Sequence, residues 1–153
     1  MPDSSMTRTR EDRDRNQEIL NDLNLGISEL DDQHQAFFLH MVGLRRALVD
    51  GAGGREKLMK TLRFLDSFME DHFGSEEKYM RRHNYPGILV HKAEHDAFAK
   101  IIAEFKKKTS DLDARGEATS FLAVEITRRL EKWLEEHIRT IDRKMADYLR
   151  KRM

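Results

Sequence analysis

The sequence predicts an all-α domain, an up-down-up-down four-helix bundle behind a flexible N-terminal segment. Three observations carry that expectation. Apolar residues recur at helical spacing over long stretches. Only two prolines occur among 153 residues, and runs of β-branched residues are scarce. Charged residues make up 37% of the chain, which suits solvated helix faces and leaves strands little support.

Taken in order, residues 1–18 are polar, with Arg8, Arg10, Arg13 and Arg15 interleaved with Glu11, Asp12 and Asp14. Near-cancelling charge and few apolar groups predict a disordered or frayed tail there, and a bundle over 19–150. The first bundle helix opens at Ser28, which with Asp31 resembles a capping box, and runs to about Asp50. Its apolar face carries Leu30, His34, Phe37, Phe38, Met41, Leu44 and Leu48, and the glycine-rich turn from Gly51 to Gly54 ends it. The second presents Leu58, Leu62, Leu65, Met69, His72, Glu76 and Met80. It stops near Asn84, because Pro86 disfavours helix at Tyr85. The third runs from near Pro86 to about Thr109 through Ile88, His91, His95, Phe98, Ile102 and Phe105. After a polar stretch, Ser110 to Gly116, the last helix covers roughly 118–150 with Leu130, Trp133, Leu134, His137, Ile141, Met145 and Tyr148 on one face. Four such helices with short connections make a bundle the natural architecture.

Composition narrows function. The 28 basic and 28 acidic side chains cancel, which removes the electrostatic case for nucleic acid or an anionic membrane as partner. Without cysteine there is no disulfide framework, thiolate zinc site or iron–sulfur cluster, so any metal must be held by histidine, carboxylate or water. Apolar runs such as Ala36–Leu39 are too short to span a bilayer, and the charged N-terminus lacks an apolar signal region. The expectation is a soluble, cytoplasmic domain.

The informative feature is a conflict inside the apolar stripes. Each is interrupted by histidine: His34, His72, His91 with His95, and His137. Glu76 follows His72 by one turn, and Asp142 follows His137 by five residues. Buried imidazoles and carboxylates cost free energy unless paired or metal-bound. In an antiparallel bundle all seven fall in the same half; His34, for instance, lies roughly 9 Å into its helix at 1.5 Å per residue. His72/Glu76 and His91/His95 are i,i+4 pairs that project from one side of a helix. His137 and Asp142 sit about 140° apart on an ideal helix, a looser pairing. His40, off the stripe, and His83, beside the Pro86 turn, are read as surface residues.

Five imidazoles, two bridging carboxylates and a solvent-derived bridge would supply about eleven bonds, one short of two octahedra. Imidazole with carboxylate suits iron, manganese, zinc or copper; two six-coordinate-type metals with one open position favour iron and an oxygen-binding geometry. Other metal classes fail on spacing. No histidine has a glutamate three residues before it, as ferritin-like di-iron sites require, and Lys92 follows His91 where a zincin has glutamate.

Gly26 to His34, His72 to Glu77, Tyr85-Pro86-Gly87 leading to His91 and His95, and Trp133 to His137 through Asp142 together resemble the hemerythrins, in their bacterial branch, over roughly residues 19–150. The resemblance implies a non-haem di-iron centre, two iron ions with an oxo or hydroxo bridge, that binds dioxygen reversibly. It implies that His91, His95 and His137 hold one iron, that His34 and His72 hold the iron with the open position, and that Glu76 and Asp142 bridge. Phe73, Trp133 and Leu134 are candidates for an apolar wall that excludes water from the ligand pocket. Many bacterial members carry tryptophan where this chain has Ile19, which bears on how the N-terminal segment packs.

The function expected is dioxygen storage, delivery or scavenging without enzymatic turnover. Two alternatives stand beside it. One is a sensor of oxygen, nitric oxide or iron state that meets a protein partner through residues 1–18. The other is a di-iron oxidase or peroxidase.

Overall fold

The computed structural model describes residues 4–50, 54–115 and 120–153, and these contain helices and no strand. The elements are α1 (Ser4–Asp22), α2 (Ser28–Asp50), α3 (Gly54–Phe68), α4 (Gly74–Arg82), α5 (Ile88–Arg115), α6 (Ser120–His137) and α7 (Arg143–Arg150). A π-turn at Met69–Phe73 joins α3 to α4, and a second at Ile138–Asp142 joins α6 to α7. Those junctions make two long rods, so α2, α3–α4, α5 and α6–α7 are the four main helical segments. The expected glycine turn at 51–53 and the expected start of the last helix near 118 lie outside the described residues.

α2 packs on α3 and α6, while α5 packs on α3, α4 and α6. Between them lies one apolar core that includes Phe37, Met41, Leu44, Leu62, Phe98 and Ile126. Buried Thr61, Thr109 and Thr127 satisfy their hydroxyls by donating to the carbonyl four residues back. Among the described residues no helix is long and apolar enough to cross a membrane.

Three sequence expectations change here. Where a frayed tail is expected over 1–18, α1 begins at Ser4 and runs across the expected boundary at 18/19. Its charges suit a helix better than their cancellation suggests, since Glu11 precedes Arg15 at i,i+4. Its C-terminal end is docked: Ile19 packs against the core, Leu23 and Leu25 are buried, and Arg143 donates to the carbonyls of Asp22 (2.8 Å) and Asn24 (3.1 Å). The Asp22 carbonyl is among the acceptors a helix end leaves unpaired.

Asp31 does not form the expected box with Ser28. Its carboxylate reaches past Ser28 to accept from the backbone N–H of Leu25 (2.8 Å) and Gly26 (3.1 Å), where Gly26 takes φ +80°. The third change is at the end of α5, which continues through the polar stretch to Arg115. No proline or glycine interrupts it before Gly116, and Leu112 still packs on the core.

The stop after α4 matches its sequence signal. Asn84 adopts φ 53°, Tyr85 N–H bonds Met80 O (2.8 Å) and Asn84 N–H bonds Arg81 O (3.3 Å). This is the Schellman pattern, with asparagine tolerating the left-handed position.

Candidate metal centre

The structure brings together all seven side chains singled out in the stripes. His34 comes from α2, His72 from the first π-turn, Glu76 from α4, His91 and His95 from α5, His137 from the end of α6 and Asp142 from the second π-turn. None is more than 4% exposed.

The π-turns explain a pairing the sequence leaves loose. Bonding from i to i+5 widens the turn, so residues five apart come nearly into line. His137 and Asp142 flank such a turn, and His137 Nε2 lies 2.9 Å from Asp142 Oδ1.

The polar atoms form two overlapping groups, each with its members' ligand atoms within 4.8 Å of one another. One contains His91, His95 and His137, the other His34 and His72, and Glu76 and Asp142 belong to both. Each carboxylate divides its oxygens between them. Glu76 Oε1 faces His72 Nε2 (2.5 Å) and His34 Nε2 (3.7 Å), whereas Oε2 faces His91 Nε2 (2.6 Å) and His95 Nε2 (3.1 Å). Asp142 Oδ1 faces His137 Nε2 (2.9 Å) and His91 Nε2 (3.1 Å), whereas Oδ2 faces His34 Nε2 (3.1 Å).

These short approaches are not all hydrogen bonds. Glu76 Oε1, both Asp142 oxygens and both ring nitrogens of His34 and His137 lack an aligned partner. An unsatisfied buried polar atom costs about 1–3 kcal/mol, so such a cluster is expensive as a purely structural core. Imidazole nitrogens and carboxylate oxygens turned inward without mutual alignment are the donor set that two metal ions of borderline hardness would satisfy. The residues present fit such a pair.

Electrostatics agree with the geometry. Burial lowers the pKa of His34 and His91, but the close carboxylates of Asp142 and Glu76 outweigh it and leave both at about 9. Burial keeps His72 below its ordinary value in spite of Glu76. Burial alone would raise Glu76 and Asp142, yet the histidines around them hold both carboxyls below the usual range.

The expected apolar wall is divided. Phe73 stacks on His95 (3.7 Å between centroids, 5° between planes) and meets the His72 ring at a tilt, 5.9 Å away. Trp133 stacks on His137 (4.4 Å) and on Phe98 (4.1 Å), and Leu134 is buried in the core. Sequence reasoning missed two neighbours of His72. Phe68 stacks on its ring at 4.7 Å, one turn earlier, a spacing that could have flagged it. Gln33 Oε1 accepts from His72 Nδ1 at 2.5 Å, a contact across helices with no local signal. Gln33 is tied in turn to Ser75 (3.3 Å), which donates to Glu29 (3.2 Å), and Tyr79 also donates to Glu29 (2.8 Å).

His40 and His83 lie outside both groups. Each is half-buried instead of being a plain surface residue: His40 stacks on Phe64 (3.7 Å), and the carbonyl of His83 accepts from Tyr148 (2.8 Å).

Against known proteins, residues 25–149 match the family model described as the hemerythrin HHE cation-binding domain. The chain belongs to the hemerythrin family. It is 34% identical over 122 residues to a bacteriohemerythrin of Methylococcus capsulatus, covering 78% of this chain and 84% of that one. A bacteriohemerythrin of Clostridium acetobutylicum is 29% identical over 129 residues, 82% and 95% of the two chains. A hemerythrin of Sipunculus nudus is 29% identical over 121 residues, 79% and 83%. A crystal structure of a leucine-to-phenylalanine mutant superposes with TM-score 0.66 at 28% identity, covering 80% of this chain and 88% of that one. Hemerythrins are known for binding oxygen at a di-iron site.

Proposed function

We propose that this hemerythrin-family chain binds dioxygen reversibly at a di-iron centre, serving storage, delivery or scavenging in the cytoplasm and not catalysis. One observation carries the reading: Glu76 and Asp142 each give one oxygen to the three-histidine group and the other to the two-histidine group. That is the arrangement two bridging carboxylates need. His91, His95 and His137 would hold one iron and His34 and His72 the other, with a solvent-derived oxo or hydroxo bridge between them. With two histidines against three, the His34/His72 side would supply fewer protein ligands. When bound, the pair supplies two electrons to dioxygen and takes them back on release.

The chain's own residues provide the surroundings this requires. Antiparallel packing in an up-down-up-down bundle carries the histidine-bearing halves of the four segments to one level. Rings of Phe68, Phe73 and Trp133 lie flat against His72, His95 and His137, which excludes water and fixes the imidazole planes. Gln33 accepts the Nδ1 hydrogen of His72, which directs Nε2 inward.

The test is an absorption spectrum of anaerobically reduced, iron-loaded protein before oxygen, after oxygen and after purging. A visible band that appears with oxygen and disappears on purging is expected. Direct passage to a stable oxidised form would overturn the carrier reading and favour a sensor or an oxidase.

A further inference from the structure

Two segments of the bundle carry a polar side chain at matching positions. Gln33 stands one residue before His34 on α2 and accepts from Nδ1 of His72 on the next segment (2.5 Å). Glu94 stands one residue before His95 on α5, and its Oε2 lies 3.9 Å from Nδ1 of His137, again on the next segment. Each receiving histidine belongs to or borders a π-turn, His72 within Met69–Phe73 and His137 just before Ile138–Asp142. The second half of the chain thus repeats this placement, with a carboxylate where the first half has an amide.

The second contact is wider than a hydrogen bond, and its surroundings favour closure. Nδ1 of His34, His91, His95 and His137 is buried without a partner. Among the described residues carboxylates stand beside two of these four, Glu77 at His95 (3.9 Å) and Glu94 at His137 (3.9 Å). Glu77 is shared with Arg81, which donates to it at 3.5 Å. The ring of His137 is the more confined: its Nε2 is turned to Asp142 (2.9 Å), Trp133 covers its face at 4.4 Å, and its side chain is 2% exposed. A neutral ring whose Nε2 is given to the inner site carries its hydrogen on Nδ1, and a buried N–H closed to water is costly unless a protein group accepts from it. The Glu94 side chain is 43% exposed, so a change of rotamer can carry its carboxylate to the distance of a charge-assisted hydrogen bond, about 2.8 Å.

We propose that Glu94 is the positioning residue of the three-histidine end. It accepts the Nδ1 hydrogen of His137, fixes that ring with Nε2 inward, and sets a negative charge behind it where Gln33 sets a neutral amide behind His72. The consequence for iron rests on the reading of His137 as a ligand; the contact between Glu94 and Nδ1 does not.

The test compares the full-length protein with Glu94→Leu, which removes the acceptor, and Glu94→Gln, which keeps an acceptor and removes the charge. A crystal structure of the iron-loaded wild type should show a Glu94 oxygen about 2.8 Å from His137 Nδ1. In competition with a soluble ferrous chelator, Glu94→Leu should hold iron about tenfold more weakly at equal helicity, and Glu94→Gln should recover most of that loss. A reductive titration separates charge from shape. The midpoint potential should move upward in Glu94→Gln, because losing an anion behind a ligand ring disfavours the ferric state. A water or a main-chain carbonyl bonded to Nδ1 in place of Glu94 overturns the proposal. So does wild-type affinity in Glu94→Leu, an equal loss in both variants, or a potential that Glu94→Gln leaves unmoved. If the chain takes up no iron at all, the di-iron reading fails, and crystals of the metal-free chain still decide whether Glu94 meets His137.

Discussion

The two ends of the buried cluster are built on different terms. Around His95 and His137 stacked rings dominate, with Phe73 on one, Trp133 on the other and Phe98 behind Trp133, while the carboxylates of Glu77 and Glu94 stand 3.9 Å from the outer ring nitrogens. Around His34 and His72 the neighbours are partly polar: Gln33 grips His72, and a polar cleft reaches His34. Stacking fixes imidazole planes while excluding water, and polar neighbours orient rings without sealing them. Glu76 and Asp142 join the ends, and substitutions should therefore sort by which end they touch.

Glu76→Ala touches both and should have the largest effect. Iron content should fall from two per chain towards none, and thermal unfolding of the metal-free chain should show about 3 kcal/mol or more lost, because several buried histidines lose their counter-charge. Iron analysis and calorimetry check this; an unchanged iron content contradicts the shared-carboxylate geometry. Phe73→Ala acts on the stacked end. It should cost about 3 kcal/mol of stability, as for a large aromatic removed from a core, while two irons still bind. Gln33→Leu acts on the other end, with little loss of fold. Iron affinity should weaken about tenfold, with restoration by Gln33→Glu, which keeps the acceptor. Equal loss in both variants would mean that Gln33 only fills space.

A pH series touches both ends alike in the metal-free chain. His34 and His91 stand at about 9 against an ordinary 6.5, so the stability their protons add is complete below pH 6.5 and is lost as pH rises through 9. Those protons also compete with metal. Iron uptake should therefore release protons and strengthen as pH rises, which titration calorimetry in buffers of differing ionisation heat can read. The smallest effect is expected from His83→Ala, which should leave iron content unaltered, because that ring lies outside both groups.

The convergence of the seven side chains was legible because histidine is costly on an apolar stripe and helical rise alone places all of them at one level. The stop after α4 was legible because Asn84 and Pro86 act locally. The rest depends on contacts between segments. His137 and Asp142 look misaligned until the π-turn at Ile138–Asp142 is known, and nothing in IRTID marks that turn. Gln33 is one more polar residue beside His34 until His72 from another helix meets it. α1 reads as a tail because its anchors, Leu23 and Leu25, lie beyond its charged stretch and dock only on the finished bundle. Phe73 follows His72 in sequence but serves His95, since a side chain one position on leaves by another face of the helix.

The most direct test of the shared-carboxylate centre is anomalous X-ray diffraction from iron-loaded crystals. Two iron peaks are expected, both within bonding distance of Glu76 and Asp142, one beside His91, His95 and His137 and the other beside His34 and His72. A single peak, or two peaks that do not share those carboxylates, would contradict it.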